Sequence, residues 1–224
     1  MSTLAATNLK HESSASNNIV LDASGNTAIS GSATVGGVAV VTTTGTQTLT
    51  NKTLTSPTIG GTPVMSASVI TSGTAQASTS GTSISFTGIP SWVKRITVMF
   101  NGVSTNGTSN QQIQLGDSGG FETTGYLGAS VQLTDAQSVN AATITTGFGI
   151  RSALAANTIN GAVVITNLTN NTWVAQGALT DSSRGAGYLV GGAKALSDVL
   201  TQVRITTVNG TDAFDAGSIN ILYE

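Results

Sequence analysis

The sequence contains no cysteine, and this absence excludes disulfide bonds and thiolate metal sites. Charged residues are also scarce, since they make up 8% of the 224 residues, against about 25% in ordinary globular proteins. The net charge of −2 provides no basic stripe, so nucleic-acid binding has no electrostatic support. Aromatic residues amount to 4%, and none lies before residue 67. The N-terminal part therefore lacks the large side chains that usually build a core.

Long apolar segments are missing as well. The N-terminal stretch MSTLAATNLKHESSASNN has no apolar core of signal-peptide length, and the apolar run at residues 38–41 is far too short to cross a bilayer. We therefore expect no membrane insertion. The lack of cysteine favours folding inside a reducing cell without a secretion signal.

The residues that are abundant favour β-structure. The chain has 27 glycines, and Ser, Thr and Asn dominate its polar residues. Disordered chains combine high charge with few β-branched residues, whereas this chain combines low charge with many of them. We therefore expect an all-β protein with Gly-rich turns, whose composition is typical of extracellular or particle-bound proteins.

The region before residue 67 has an unusual apolar spacing. Within residues 42–62, ten of twenty-one residues are threonine, and a large aliphatic side chain recurs at every fifth position, at Leu49, Leu54, Ile59 and Val64. An interval of five alternates faces along a straight strand, so these side chains cannot build a core within one chain. We predict that the four residues form a trimer seam between three copies wound around a shared axis, with chain bends at Gly and Pro.

Two other structures remain open for this region. A single-chain β-helix of five-residue units is one, although three or four units are few for such a repeat structure to be stable. Disorder is the other, for residues 1–35, which contain Gly and Ser throughout and short β-like pieces such as residues 18–22.

Residues 67–224 show the period of two that is typical of half-buried strands. The predicted inward residues are Ile96, Val98 and Phe100, then Ile113 and Leu115, then Val203 and Ile205, and finally Ile219, Ile221 and Tyr223. Turn signals occur at Asn101-Gly102, Asn106-Gly107, Asn170-Asn171 and Asn209-Gly210. We therefore predict an antiparallel β-sandwich head domain, jelly-roll-like if its connections cross over.

Several segments resemble proteins of tailed bacteriophages. The segment TQTLTNKTLTSPTI, residues 46–59, is similar to one that is widespread in tail fibres and other virion proteins of these phages. The segment NIVLDASGN, residues 18–26, resembles their repetitive shaft sequences, and residues 86–97 and 203–223 resemble terminal β-domains of phage fibres and appendages. The resemblance implies a homotrimeric structural protein on the virion exterior.

The resemblance also implies an order of parts along the chain. Residues 1–35 would form an arm that anchors to other virion proteins, residues 36–66 an intertwined trimeric shaft, and residues 67–224 the head. The expected function is non-catalytic: host adsorption, through contact with a surface glycan or protein, or exterior fibre structure. The alternatives are a capsid decoration or head-fibre protein and an enzyme, either a depolymerase or a protease.

The sharpest enzyme-like motif is Gly116-Asp-Ser-Gly-Gly120, which matches the nucleophile segment of trypsin-like proteases. That chemistry requires a histidine base, and the single histidine, His11, lies in the predicted arm. We therefore interpret the motif as a turn after the strand of Ile113 and Leu115, and we predict no catalytic residue.

Acidic residues occur in two close pairs, Asp117 with Glu122 and Asp212 with Asp215. Calcium binds such oxygen ligands, but neither spacing matches an EF-hand loop. We therefore interpret both pairs as solvated loops and predict no metal or cofactor.

Aromatic residues are the candidates for ligand contact, because their rings stack on sugars and bury large areas. For Trp92 and Trp173 we expect packing in the core or between subunits. Tyr126 and Tyr188 lie in the Gly-rich segments 124–128 and 185–188, so we expect them to be exposed and available for receptor contact.

Overall fold

A computed structural model describes residues 70–224, except Ala156, together with short segments and single residues of the N-terminal region. The chain separates into two units, Met1–Pro63 and Val64–Glu224. The predicted trimer seam, which consists of Leu49, Leu54, Ile59 and Val64, lies outside the described residues and stays a prediction.

In the first unit the described strands are short and antiparallel. Strands β1 (Asn8–Leu9), β2 (Ile19–Leu21) and β3 (Thr27–Ile29) form a sheet in that order, and β4 (Thr34–Val35) pairs with β5 (Val38–Ala39). The backbone bends at Thr55 and Ser56, and Thr53 and Thr58 are exposed. Strand β2 lies within the β-like piece expected at residues 18–22.

The second unit consists of fourteen strands, and its described residues contain no helix. The first seven are β6 (Thr71–Ser72), β7 (Gln76–Ala77), β8 (Ser83–Thr87), β9 (Arg95–Thr105), β10 (Gln111–Asp117), β11 (Gly120–Phe121) and β12 (Tyr126–Leu133). The last seven are β13 (Val139–Ile144), β14 (Phe148–Ile150), β15 (Ile159–Thr169), β16 (Thr172–Asp181), β17 (Ala186–Ala195), β18 (Gln202–Thr207) and β19 (Phe214–Tyr223). Over the whole described part of the chain, no helix has the length and apolar character needed to span a membrane.

These strands form two antiparallel sheets. The larger, nine-stranded sheet has the order β13-β12-β17-β16-β15-β9-β19-β6, and β7 also pairs with β19. The smaller, five-stranded sheet has the order β11-β10-β18-β8, and β14 also pairs with β10. The chain passes repeatedly between the sheets, for example from β8 to β9 and from β17 to β18. The all-β antiparallel prediction is confirmed, whereas a jelly-roll order of connections stays a prediction.

One hydrophobic core contains side chains of both sheets, because strand alternation turns every second residue of each sheet inward. The predicted inward residues of β9, β10, β18 and β19 are confirmed, with Tyr223 only partly buried. Burying each such aliphatic side chain contributes about 1.5–3 kcal/mol, so this core accounts for most of the stabilisation of the unit.

Strand β10 departs from the predicted half-burial, because all seven of its residues are buried. Gln112 accepts a hydrogen bond from the Thr146 hydroxyl at 2.7 Å, and the Gln114 amide donates to the Thr146 carbonyl oxygen at 2.8 Å. The guanidinium of Arg204 donates to Gln114 Oε1 at 2.6 Å. The second face of β10 is thus covered by polar side chains that satisfy one another.

Three of the four predicted turns are confirmed, and one is wrong. Asn170-Asn171 joins β15 to β16, and Asn106-Gly107 and Asn209-Gly210 lie in loops after β9 and β18. Asn101-Gly102 lies inside β9, where the pairing register with β15 and β19 shifts. Gly102 adopts φ +65° there, so its conformational freedom serves a β-bulge instead of a hairpin turn.

Candidate functional site

Tyr126 is buried, so the expectation that it is exposed is wrong. Only 1% of the residue is accessible, and its ring packs edge-on against Phe148 with the centroids 5.1 Å apart. The phenol oxygen accepts a hydrogen bond from the backbone N–H of Leu115 at 2.7 Å and donates to the carbonyl oxygen of Glu122 at 3.1 Å. Tyr126 begins β12, and strand alternation turns it inward despite its glycine neighbours. Receptor contact is therefore not open to this ring.

Tyr188 on β17 is buried for the same reason, and its expected exposure is also wrong. Its hydroxyl donates to Asp181 Oδ2 at 3.1 Å and accepts a hydrogen bond from the Asn157 amide at 3.2 Å. Burial raises the pKa of Tyr188 to about 12, and the neighbouring charge of Asp181 acts in the same direction. Tyr188 is therefore part of a buried polar network.

Trp92 is the exposed aromatic side chain. It is 55% accessible, so Trp92 does not pack in the core of one chain, and its packing between subunits stays a prediction, whereas Trp173 is buried as expected. The indole lies against Tyr223, with ring centroids 6.0 Å apart and planes tilted by 47°. Two aromatic rings thus meet at the surface of the second unit.

A tight turn holds Trp92 in place. The backbone N–H of Val93 donates to the carbonyl oxygen of Pro90 at 3.1 Å, and this bond closes a turn with Trp92 near its tip. Ile89 and Val93 on either side are buried, and the N–H of Ile89 is bonded to the carbonyl oxygen of Thr201 at 2.9 Å. The indole is therefore presented to solvent from an anchored loop.

Tyr223 also lines a groove of about 420 Å³, which lies between β8 on one side and β7 and β19 on the other. We call this groove, together with Trp92 and Tyr223, the aromatic groove. Its apolar lining includes Phe86, Ile89 and Ile221, and its polar lining consists of Thr74, Gln76, Ser85 and Thr87. Small-molecule sites typically measure about 300–1,000 Å³, so the groove is large enough for a ligand.

The chemistry of the aromatic groove suits binding. None of its lining residues is an acid or a base that is charged at neutral pH. The groove offers hydroxyl and amide groups beside the ring of Tyr223, and Trp92 contacts this ring from outside the lining. This combination fits a neutral, hydroxyl-rich ligand whose rings stack on aromatic faces.

The protease-like motif forms the predicted turn, which is confirmed. Asp117 pairs with Gly120 across a hairpin, and Ser118 and Gly119 form its two-residue loop. The hydroxyl of Ser118 lies 3.5 Å from Asp198 Oδ2, and His11 lies outside the described residues. Asp117 accepts a hydrogen bond from the N–H of Gly119 at 2.8 Å, which stabilises the turn.

Asp117 and Glu122 form a polar network through Ser197, so the expected solvated loop is wrong for this pair. The Ser197 hydroxyl lies 2.7 Å from Asp117 Oδ2 and 2.9 Å from Glu122 Oε1, and buried Lys194 forms an ion pair with Glu122. Hydrogen bonds from Ser197 and from the backbone of Gly119 lower the pKa of Asp117. Burial opposes ionisation of Glu122, but Lys194 and Ser197 outweigh it and lower the pKa of Glu122.

This network predicts a loss of stability in acid. The folded-state pKa values of Asp117 and Glu122 are lowered. The two carboxylates therefore make their full contribution to the free energy of unfolding when the pH is above their unfolded-state pKa values. This contribution is lost as the pH falls through their folded-state pKa values. We expect the urea midpoint to be constant from pH 7 to about pH 5 and to fall below about pH 4. The Asp117→Asn variant should have a lower midpoint at pH 7 and a weaker acid dependence.

The exposed Asp135 provides a matched control for this experiment. Asp135→Asn should keep the midpoint and the acid dependence of the parent protein. An acid dependence that is the same in Asp117→Asn as in the parent would show that the network does not contribute.

The second acidic pair does not form one site. Asp212 accepts hydrogen bonds from the N–H of Ser109 at 2.8 Å and the amide of Asn209 at 2.6 Å, whereas Asp215 accepts one from the Ser104 hydroxyl. Among the residues that the structure describes, no group of three or more His, Cys, Asp or Glu side chains is arranged to hold a metal ion. Asp212 therefore organises the loops around it.

The sequence signal for the aromatic groove is weak. Pro90-Ser91 before Trp92 is a turn signal, and it places the indole outside a strand. The groove walls come from β7 and β8, which are neighbours in the sequence, and from β19, which lies far from both. No local pattern shows that these strands meet.

Similarity to known proteins does not identify the site. No protein-family model, curated protein or solved structure matches the chain.

Proposed function

We propose that the protein is a trimeric structural protein of a bacteriophage virion, a fibre or appendage that takes part in host adsorption without catalysis. The observation that carries the proposal is the segment at residues 46–59, which resembles phage fibre segments and precedes a separate all-β unit. In this proposal residues 1–35 anchor to other virion proteins. Residues 36–66 form the intertwined shaft, and residues 67–224 form a jelly-roll-like head on the virion exterior.

The aromatic groove supports a role of the head in adsorption. Trp92 is exposed on an anchored turn, so little conformational entropy is lost when a ligand stacks on it. The uncharged lining favours a neutral glycan of the host surface. Three copies in one trimer add avidity to a weak single contact.

Particles with altered Trp92 test the proposal. Trp92→Ala should leave the amount of protein in purified particles unchanged, because the side chain is exposed. Each lost ring contact costs about 1 kcal/mol, and with three copies we expect adsorption to host cells to slow by about tenfold or more. Mass spectrometry of purified particles measures incorporation, and the decline of free particles with time measures adsorption.

Val208 supplies the matched control, since it is 41% exposed and follows β18, outside the aromatic groove. Val208→Ala should change neither quantity. Absence of the protein from purified particles would refute the proposal. An immunogold label on the capsid shell would show that the protein is a capsid decoration protein instead of an adsorption fibre.

A further inference from the structure

The outer surface of the larger sheet is uncharged over five neighbouring strands. In the order β13-β12-β17-β16-β15, all of whose residues the structure describes, the charged residues are Asp181 and Lys194 alone, and both are buried. The outward positions carry aliphatic, Gly, Thr and other uncharged polar residues. We call this surface the outer face.

Large aliphatic side chains of the outer face are exposed. Leu127 is 78% accessible, Val139 67%, Leu189 51% and Leu133 44%. Strand pairing places Leu133 beside Val139, and Val131 beside Leu189. These side chains therefore form one patch across neighbouring strands.

The outer face is large enough for a stable interface. At about 4.8 Å between strands and about 3.3 Å per residue, five strands paired over six to ten residues cover roughly 500–800 Å². Apolar patches of monomeric proteins typically reach about 300–600 Å², and a standard interface buries about 800 Å² on each partner. The outer face thus matches the share of one partner.

Protrusions and hollows alternate on the outer face. One hollow of about 470 Å³ is lined by Ala162 and Ala178 beside Leu189, and another of about 510 Å³ is lined by Ala129 and Gly191 beside Leu127. The small residues leave space next to each leucine. Each hollow therefore has room for an aliphatic side chain of another copy.

We infer that the outer face packs against the outer faces of the two other copies, around the three-fold axis of the proposed trimer. This inference rests on the proposed function, because it requires three copies. Around a three-fold axis, one part of the outer face meets a different part of the same face on the next copy. A surface without charge places no like charges opposite each other in such a contact. A charged partner, in contrast, finds no complementary group on the outer face.

Thiol labelling of the full-length protein tests the inference, because the chain has no cysteine that would compete. Leu189→Cys reports on the outer face, and Val199→Cys, in the loop between β17 and β18, is the control. The two native residues are similarly accessible within one chain, at 51% and 41%. In the assembled protein, Leu189→Cys should react with a maleimide dye at least about tenfold more slowly, because labelling then waits for local opening. Ala178→Cys provides a second reporter on the outer face if Leu189→Cys does not fold.

Light scattering on the same samples separates the outcomes. A trimer in which Leu189→Cys is protected supports the inference. A trimer in which both thiols react equally fast overturns the inference but leaves the proposed trimer intact. A monomer with equal labelling contradicts both the inference and the proposed trimer. Protection of Leu189→Cys in a monomer would show that another segment of the same chain covers the outer face, and this result also overturns the inference.

Discussion

Replacing Tyr126 with alanine should lower the free energy of unfolding by about 3–5 kcal/mol. The ring is buried against Phe148, and its removal leaves a cavity between the two sheets. The substitution also leaves the backbone N–H of Leu115 without its 2.7 Å hydrogen bond to the phenol oxygen. Urea unfolding followed by circular dichroism measures the loss.

Tyr126→Phe separates the two contributions to this effect. Phenylalanine keeps the ring contact and removes only the hydroxyl, so we expect a loss of about 1–3 kcal/mol from the unpaired N–H of Leu115. Unchanged stability in Tyr126→Ala, together with reduced adsorption of particles, would contradict the buried position and restore Tyr126 as a receptor contact.

Replacing Leu49, Leu54 and Ile59 together with serine should weaken the assembly of the 22.3 kDa chains, so that the trimer dissociates at a higher protein concentration than the parent trimer. Each buried aliphatic side chain contributes about 1.5–3 kcal/mol, and every substitution is present in all three copies. The second unit should keep its β-type circular dichroism, because its core lies beyond residue 70. Light scattering measures the change in mass.

The threonines between these positions provide a control of the same kind. Thr53, Thr55 and Thr58 are exposed, so their replacement with serine should leave the mass unchanged. A parent protein that is monomeric at micromolar concentration would refute the trimer. A triple-serine variant that stays trimeric down to the same concentration as the parent would show that Leu49, Leu54 and Ile59 do not contribute to the contacts between copies.

The sequence predicts those parts of the fold that depend on local periodicity. Alternation along β9, β18 and β19 identified which side chains face the core, and Asn170-Asn171 identified a hairpin. Both features depend on residues within a few positions of one another. The order of strands in the sheets has no such local signature, because β12 pairs with β17 and β9 with β19 across long stretches of chain.

The candidate site was harder to predict for the same reason. Glycine neighbours suggested exposure of Tyr126 and Tyr188, but strand alternation and the cover of the other sheet decide burial. Trp92 lies in a turn that begins at Pro90, and the buried residues Ile89 and Val93 hold this turn in place. The exposure of the indole depends on that turn. The exposure of an aromatic ring therefore depends on how the two sheets pack, which the local sequence does not show.

The position of β19 has a consequence for synthesis. This strand pairs with β9 and with β6, although a long stretch of chain separates it from both in the sequence. Pairing over such a separation is slow, because loop-closure entropy is lost before the contacts form. The edge of β9 therefore stays open until β19 has been synthesised, and open strand edges make such intermediates prone to association. A variant truncated before Phe214 lacks β19, so it cannot close the larger sheet.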